Sequence, residues 1–307
     1  MNVREWALPV YTILMQLATG TFFVIWAIRS VSVSEYGRDK VDQLFKNSIL
    51  VVFFTTGVAM SGAHFHLSKP YLSFLSVLNF HTSWLSREII FTVLFFMSVG
   101  SLSFLRWHRM EIWRLKTIVG WIAVFFGWVT VYCMAKVYIL PTQIAWNSSI
   151  TIISFIFTTL LLGIIALNTL LIMDLKYSEF YDLTRVNLYG RLIQKLLSWF
   201  VFAAILIVAV LISMNLYQVA LLDNNNHPTA QASLKLLLHL YPVLFGMRLG
   251  LTMFGVGFMA VVTYIHLHSQ KPIKDLLLPA YITCLFVLVG EILGRFLFYA
   301  IHVRIGI

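Results

Sequence analysis

Eight apolar runs, each of roughly 20 residues or more and separated by short polar connections, constrain this chain more than any other feature. They fall at about 7–28, 47–66, 87–105, 117–140, 149–173, 196–221, 240–265 and 276–300. Each is long enough for an α-helix to cross the hydrocarbon core of a bilayer, where a segment must satisfy its own backbone hydrogen bonds. The expected fold class is therefore an all-α integral membrane protein, a bundle of eight transmembrane helices. Of 307 residues, 60% are hydrophobic and only 11% charged, against about a quarter charged in a soluble domain. The connections leave no room for a separate soluble domain, so residues 1–307 read as one transmembrane unit.

Arg4 precedes the first run, which is long for a signal-peptide core and has no small-x-small cleavage site after it. It reads as a retained first helix. Cys133 and Cys284 stand alone inside apolar runs and form no CxxC pair. That spacing argues against an iron-sulfur cluster or a structural zinc in this chain.

The net charge of +10 would suggest nucleic acid on a soluble protein, but here the basic residues sit in connections beside the membrane. Arg29, Arg38, Lys40 and Lys46 follow run 1, and Arg106, Arg109, Arg114 and Lys116 follow run 3. Lys176, Arg185, Arg191 and Lys195 follow run 5, and Lys271 and Lys274 follow run 7. The opposite side holds only Arg4, Lys69, Arg87, Lys235 and Arg304. Short cytoplasmic connections are enriched in Lys and Arg, so both termini are expected on the outer, periplasmic side. The mixed charges and aromatics of 174–195 read as an interfacial segment.

Ionisable groups inside hydrocarbon are costly, so each is a functional candidate with a partner to be found. Glu88 opens run 3, Lys136 lies one turn from the outer end of run 4, Arg248 is about two turns into run 7, and Glu291 and Arg295 are in run 8. With Gln16 of run 1 and His64 and His66 at the end of run 2, all fall in the outer half of the membrane. That asymmetry predicts a single polar cavity open to the outer face rather than a transmembrane ion path. In the final run, GEILGRFLFYAIH, one face carries Glu291, Arg295, Tyr299 and His302. Glu before Arg at this spacing favours a pair, and Gly290 and Gly294 make a small-xxx-small step for close helix approach.

The stretch His64–Glu88 interrupts two apolar runs with two histidines and a carboxylate. An imidazole can take a proton from a phenolic hydroxyl and pass it on, and a carboxylate at the membrane boundary can receive it. His66 and Glu88 are the catalytic candidates, and His64, about 200° away around the helix, reads as interfacial. His66 could be paired with His239 or His302 for a b-type haem, but all three sit at helix ends, so no haem is expected.

LMQLATGTF in the first run, HFHLSKP followed by TSWLSREI, then AKVY, GMRLGL and above all GEILGRFLFYAIH, taken in order over nearly the whole chain, resemble the membrane-anchor subunit of bacterial dimethyl sulfoxide reductase. The resemblance implies a multi-pass subunit of the bacterial inner membrane with no redox cofactor of its own. Such a subunit holds a molybdopterin catalytic subunit and an iron-sulfur electron-transfer subunit, oxidises menaquinol in anaerobic respiration and hands the electrons to the nearest cluster. His66 and Glu88 match the residues associated with quinol there. Together with the buried polar groups, the expected quinol-binding set is His66, Glu88, Gln16, Lys136, Arg248, Glu291, Arg295 and Tyr299. Lys69, His81 and Trp84 depart from the pattern in the intervening loop.

Three rivals are weighed against this. A small-solute transporter would show midplane sites on broken helices and internal repeats, which are not evident. A proton-coupled, polysulfide-reductase-type quinone subunit would need polar groups leading from the inner face, where the runs offer little beyond Ser and Thr. A purely structural anchor would bind only lipid in the cavity.

Overall fold

The computed structural model describes residues 3–66, 75, 78–108, 112–178, 183–269 and 272–303, with the backbone alone at 3–7, 64–66, 178, 183–189 and 191. Among these residues every regular element is helical. They are α1 (Val3–Tyr36), α2 (Arg38–Leu44), α3 (Lys46–His66), α4 (Trp84–Trp107), α5 (Trp113–Tyr138), α6 (Ser149–Ser178), α7 (Leu183–Asp223), α8 (Pro228–Lys235), α9 (Pro242–His268) and α10 (Leu277–Ala300). A π-helical turn, Leu236–Leu240, follows α8, and a 3-10 turn, Ile273–Leu276, leads into α10.

Seven of these helices are long and apolar enough to cross a bilayer; α2 and α3, bent by 44° where they meet, make an eighth if the pair counts as one span. The protein is a multi-pass membrane protein. Gly37 ends α1 with φ of 83°, a conformation that glycine adopts without steric cost, and this lets α2 turn back under the bundle. Several helices outrun their apolar windows: α1 continues to Tyr36, and α7 starts at Leu183. Much of the segment expected at the interface is thus helix, continuous with α6 or α7. Helix α4 starts at Trp84 because the Ser83 hydroxyl accepts the Ser86 backbone N–H at 3.3 Å.

The helices form two rings of four. In one, α1, α3, α4 and α5 each pack on two neighbours; in the other, α6, α7, α9 and α10 do the same. The rings meet chiefly where α1 lies on α6. Glycine makes that contact possible: a Cβ on Gly20 would run into the Thr159 carbonyl, and one on Gly163 into the backbone at Gly20. Small residues of this kind replace the hydrophobic drive that apolar helices lack in lipid. Gly290 and Gly294 do the same on α10, facing Thr252 and Arg248 of α9. Outward-facing Phe54, Met97, Phe125, Phe202 and Val261 stay exposed, as a lipid-facing surface requires.

Polar contacts define two poles. Arg29 of α1, Asp42 of α2, Arg106 of α4 and Lys116 of α5 meet at one, the basic pole. Lys195 of α7 meets Glu35 there. At the far pole the connection between α5 and α6 meets the end of α10, where the Trp146 indole N–H donates to the Phe298 carbonyl at 2.7 Å. The start of α1 and the end of α10 therefore lie at the same pole.

Candidate functional site

Glu88 sits in the first turns of α4 near the far pole, 5% exposed. Its carboxyl faces the Tyr11 hydroxyl of α1, which lies 3.1 Å from the Thr92 hydroxyl one turn below on α4. The contact is with a neutral hydroxyl; among the described residues no ion pair involves Glu88. An isolated carboxylate in hydrocarbon is costly enough that such a group is ordinarily paired or functional. His66 is the last residue of α3; its side chain, like that of His64 and all of Lys69, lies outside the described residues. Arg87 turns away from Glu88 and clasps the preceding loop, donating to the Phe80 carbonyl at 2.9 Å and the His81 carbonyl at 2.7 Å. Its guanidinium also lies 4.2 Å from the centre of the Trp84 ring.

Lys136 stands over that same Trp84 ring at 5.3 Å. It is therefore at the outer rim of the first ring and does not line the chamber that holds Arg248 and Glu291. The helix is turned so that the side chain reaches sideways to an aromatic.

Arg248, Glu291 and Arg295 border a small chamber of about 40 Å³ within the second ring, together with Thr158, Asn215 and Gln218. Arg248 donates to the Asn215 side-chain oxygen at 2.7 Å. Glu291 accepts from the Thr158 hydroxyl at 2.9 Å. Arg295 donates to the Gln16 side-chain oxygen at 2.6 Å and lies over Phe155, its Cζ 3.9 Å from the ring centre. The expected Glu291–Arg295 pair does not form: each turns to a neighbouring helix, and among the described residues no ion pair joins them. A narrower recess, lined by Val208, Leu211, Ile212 and Leu249 and by the polar Asn215, Arg248, Thr252 and Glu291, continues from the chamber between α7 and α9.

The expected single cavity is thus two polar centres, Glu88 in the first ring and the chamber in the second. Helix α1 lies between them. Gln16, fully buried, bridges the rings by donating to the Phe155 carbonyl at 2.9 Å while accepting from Arg295. Tyr138 of α5 and Tyr299 of α10 share a hydrogen bond of 2.6 Å across the same boundary, and Tyr299 also faces Thr12 of α1. Tyr138, Trp146, Phe155 and Phe298 pack as one aromatic layer around that bond.

The family profile described as DMSO reductase anchor subunit (DmsC) matches residues 1–301. The protein belongs to the DMSO reductase anchor subunit family. It is 26% identical over 316 residues to the C subunit of the anaerobic dimethyl sulfoxide reductase of Haemophilus influenzae, an overlap of 100% of this sequence and 98% of the relative. It is also 26% identical over 164 residues to the YnfH subunit of an anaerobic dimethyl sulfoxide reductase of Escherichia coli, an overlap of 52% of this sequence and 55% of that one.

The structure adds a polar centre that the apolar windows did not reveal. At the basic pole Asp42 accepts from Arg29 and Arg106, each at 2.8 Å, and Lys116 lies 4.0 Å away. The Arg29 guanidinium, 1% exposed, is held between the rings of Trp26 and Trp113. Both arginines stand at the edges of apolar windows and read as solvated flanks. The alternation of RDKVDQL, with Val41 and Leu44 buried, was the available signal that α2 packs and carries Asp42 inward.

Proposed function

We propose that this anchor subunit oxidises menaquinol at the far pole and passes the electrons to a partner iron-sulfur subunit, which serves a molybdopterin catalytic subunit in anaerobic respiration. On this reading the protein is one domain of the bacterial inner membrane, with α2 and α3 as a single broken span, eight spans in all. The basic pole faces the cytoplasm, and both termini face the periplasm. The subunit carries no haem or cluster of its own.

The single observation that supports the site is Glu88: a carboxylate buried in the outer part of a spanning helix, facing a neutral hydroxyl and joined to no cation among the described residues. Such a group is free to take a proton from a bound hydroquinone, the role that general-base catalysis assigns to a positioned carboxylate. Tyr11, held by Thr92, fixes its orientation. His66, at the end of α3, is the second acceptor on this reading. The quinol loses two electrons to the partner's cluster and two protons to the protein, leaving the quinone. Gln16 and Arg295 tie the rings together behind the site, and the charged residues of the second ring act at a remove. Lys136 is given no part in proton transfer.

The test is menaquinol-analogue oxidation by the assembled complex in membranes. His66→Ala and Glu88→Gln should each lower it by at least about 100-fold, the lower bound for a lost general base. Parent rates in both variants would refute the site.

A further inference from the structure

We propose that the chamber between α6, α7, α9 and α10 is a proton outlet, in which Glu291 receives protons released by quinol and water carries them past Gln218 to the far-pole surface. The inference rests on the reading of Glu88 as part of a quinol site. It concerns the route that follows.

Three features of the chamber support it. First, the wall is polar and its groups point to different partners. Glu291 has one oxygen engaged by Thr158, and Arg295 spends one nitrogen on Gln16 while its Nε is buried without a hydrogen-bond partner. Water in a buried site needs two to four polar partners, and this wall offers them along its length.

Second, the chamber leads somewhere. Gln218 lines both it and a second cavity, of about 150 Å³, bordered by Asn147, Ser148 and Asn225 in the connections at the far pole. Asn147 is exposed, so the second cavity opens at the surface. Gln218, which donates to the Ala145 carbonyl at 3.2 Å, is the neck between them.

Third, hydroxyl groups occupy the boundary between Glu88 and the chamber. Tyr11 faces Glu88, the adjacent Thr12 faces Tyr299, and Tyr299 shares its bond with Tyr138. Tyr299, Arg295 and Glu291 then follow one another at one-turn spacing along α10. Each proton leaves a quinol hydroxyl for Glu88, crosses this boundary and converts the Glu291 carboxylate to the acid, which then releases it to chamber water as hydronium and returns to the carboxylate; Arg295 keeps its charge throughout, and the paired electrons go to the iron-sulfur partner.

The experiment uses the whole complex in membranes, with a menaquinol analogue as donor, and compares Glu291→Gln, Glu291→Asp and Gln218→Leu with the parent. Glu291→Gln keeps an acceptor for Thr158, so the fold should survive, and Gln218→Leu narrows the neck without touching Glu291. The expected result is a fall in kcat of about tenfold or more in Glu291→Gln and Gln218→Leu, an unchanged KM, a larger solvent deuterium isotope effect, and recovery in Glu291→Asp. If both variants oxidise the analogue at the parent rate with the parent isotope effect, protons leave elsewhere and the outlet is refuted. Binding of a fluorescent quinol analogue separates the two levels. Parent complex that fails to bind it overturns the quinol site itself, whereas binding with unaffected variants overturns the outlet alone.

Discussion

Asp42→Asn probes the basic pole, where one carboxylate serves three cations. Its Oδ1 accepts from Arg29 and from Arg106 at 2.8 Å each, and Lys116 lies 4.0 Å from its other oxygen. The two arginine side chains are 1% and 4% exposed and Asp42 is 15% exposed, so water replaces little of what is lost. Removing one partner of a buried ion pair costs roughly 3–5 kcal/mol because the other charge is left uncompensated. Asparagine keeps one acceptor oxygen for the arginines, which places the cost near the lower end, about 3 kcal/mol. At about 2 °C per kcal/mol for a chain of this length, Tm should fall by roughly 6 °C. The assay is thermal unfolding of the purified protein in detergent, followed by tryptophan fluorescence. A second substitution gives the sign test: Asp42→Asn with Arg106→Met removes one of the stranded cations and should recover part of the loss. A Tm within about 1 °C of the parent for Asp42→Asn, or a double variant no more stable than the single one, would refute the electrostatic account.

Other outcomes follow from the packing and the placement of the charged groups. Gly20→Ala should destabilise by about 1–3 kcal/mol in the same assay, because its Cβ meets the α6 backbone, which has no rotamer to escape into. Lys136→Met should leave menaquinol-analogue oxidation by the complex within about twofold of the parent. Arg295→Met should lower it about tenfold, corresponding to about 1.4 kcal/mol in the barrier, since the Gln16 bridge between the rings is lost. Tyr138→Phe should cost about 1 kcal/mol of stability through its bond to Tyr299.

Position along the axis of the bundle was legible in the sequence because it depends only on residue count within an apolar run. Glu88, Gln16, Arg248, Glu291 and Arg295 accordingly lie toward the far pole, and Arg29, Arg106 and Lys116 meet at the basic one, as the distribution of basic residues implied. The GxxxG step of α10 was legible too, since small residues can serve only close approach there. Direction around each helix was not. Whether Lys136 faces Arg248 or Trp84 depends on which helices flank α5, and the sequence does not state that α1 of the first ring packs against α6 of the second. The same ignorance merged two polar centres into one cavity and paired Glu291 with Arg295, when Thr158 and Gln16, on helices far away in the sequence, were the actual partners. Asp42 escaped notice for a different reason: α2 is too short and too charged to register as an apolar run, so its buried face was invisible to a search for spans.

The most direct test of the account replaces Glu88 by Gln in the assembled complex and measures two activities in the same membranes. One is terminal-acceptor reduction driven by a menaquinol analogue; the other is reduction driven by an artificial donor that feeds the partner's clusters without passing through this subunit. The account predicts a loss of at least about 100-fold in the first with no change in the second. Equal rates with the analogue in parent and variant would contradict it.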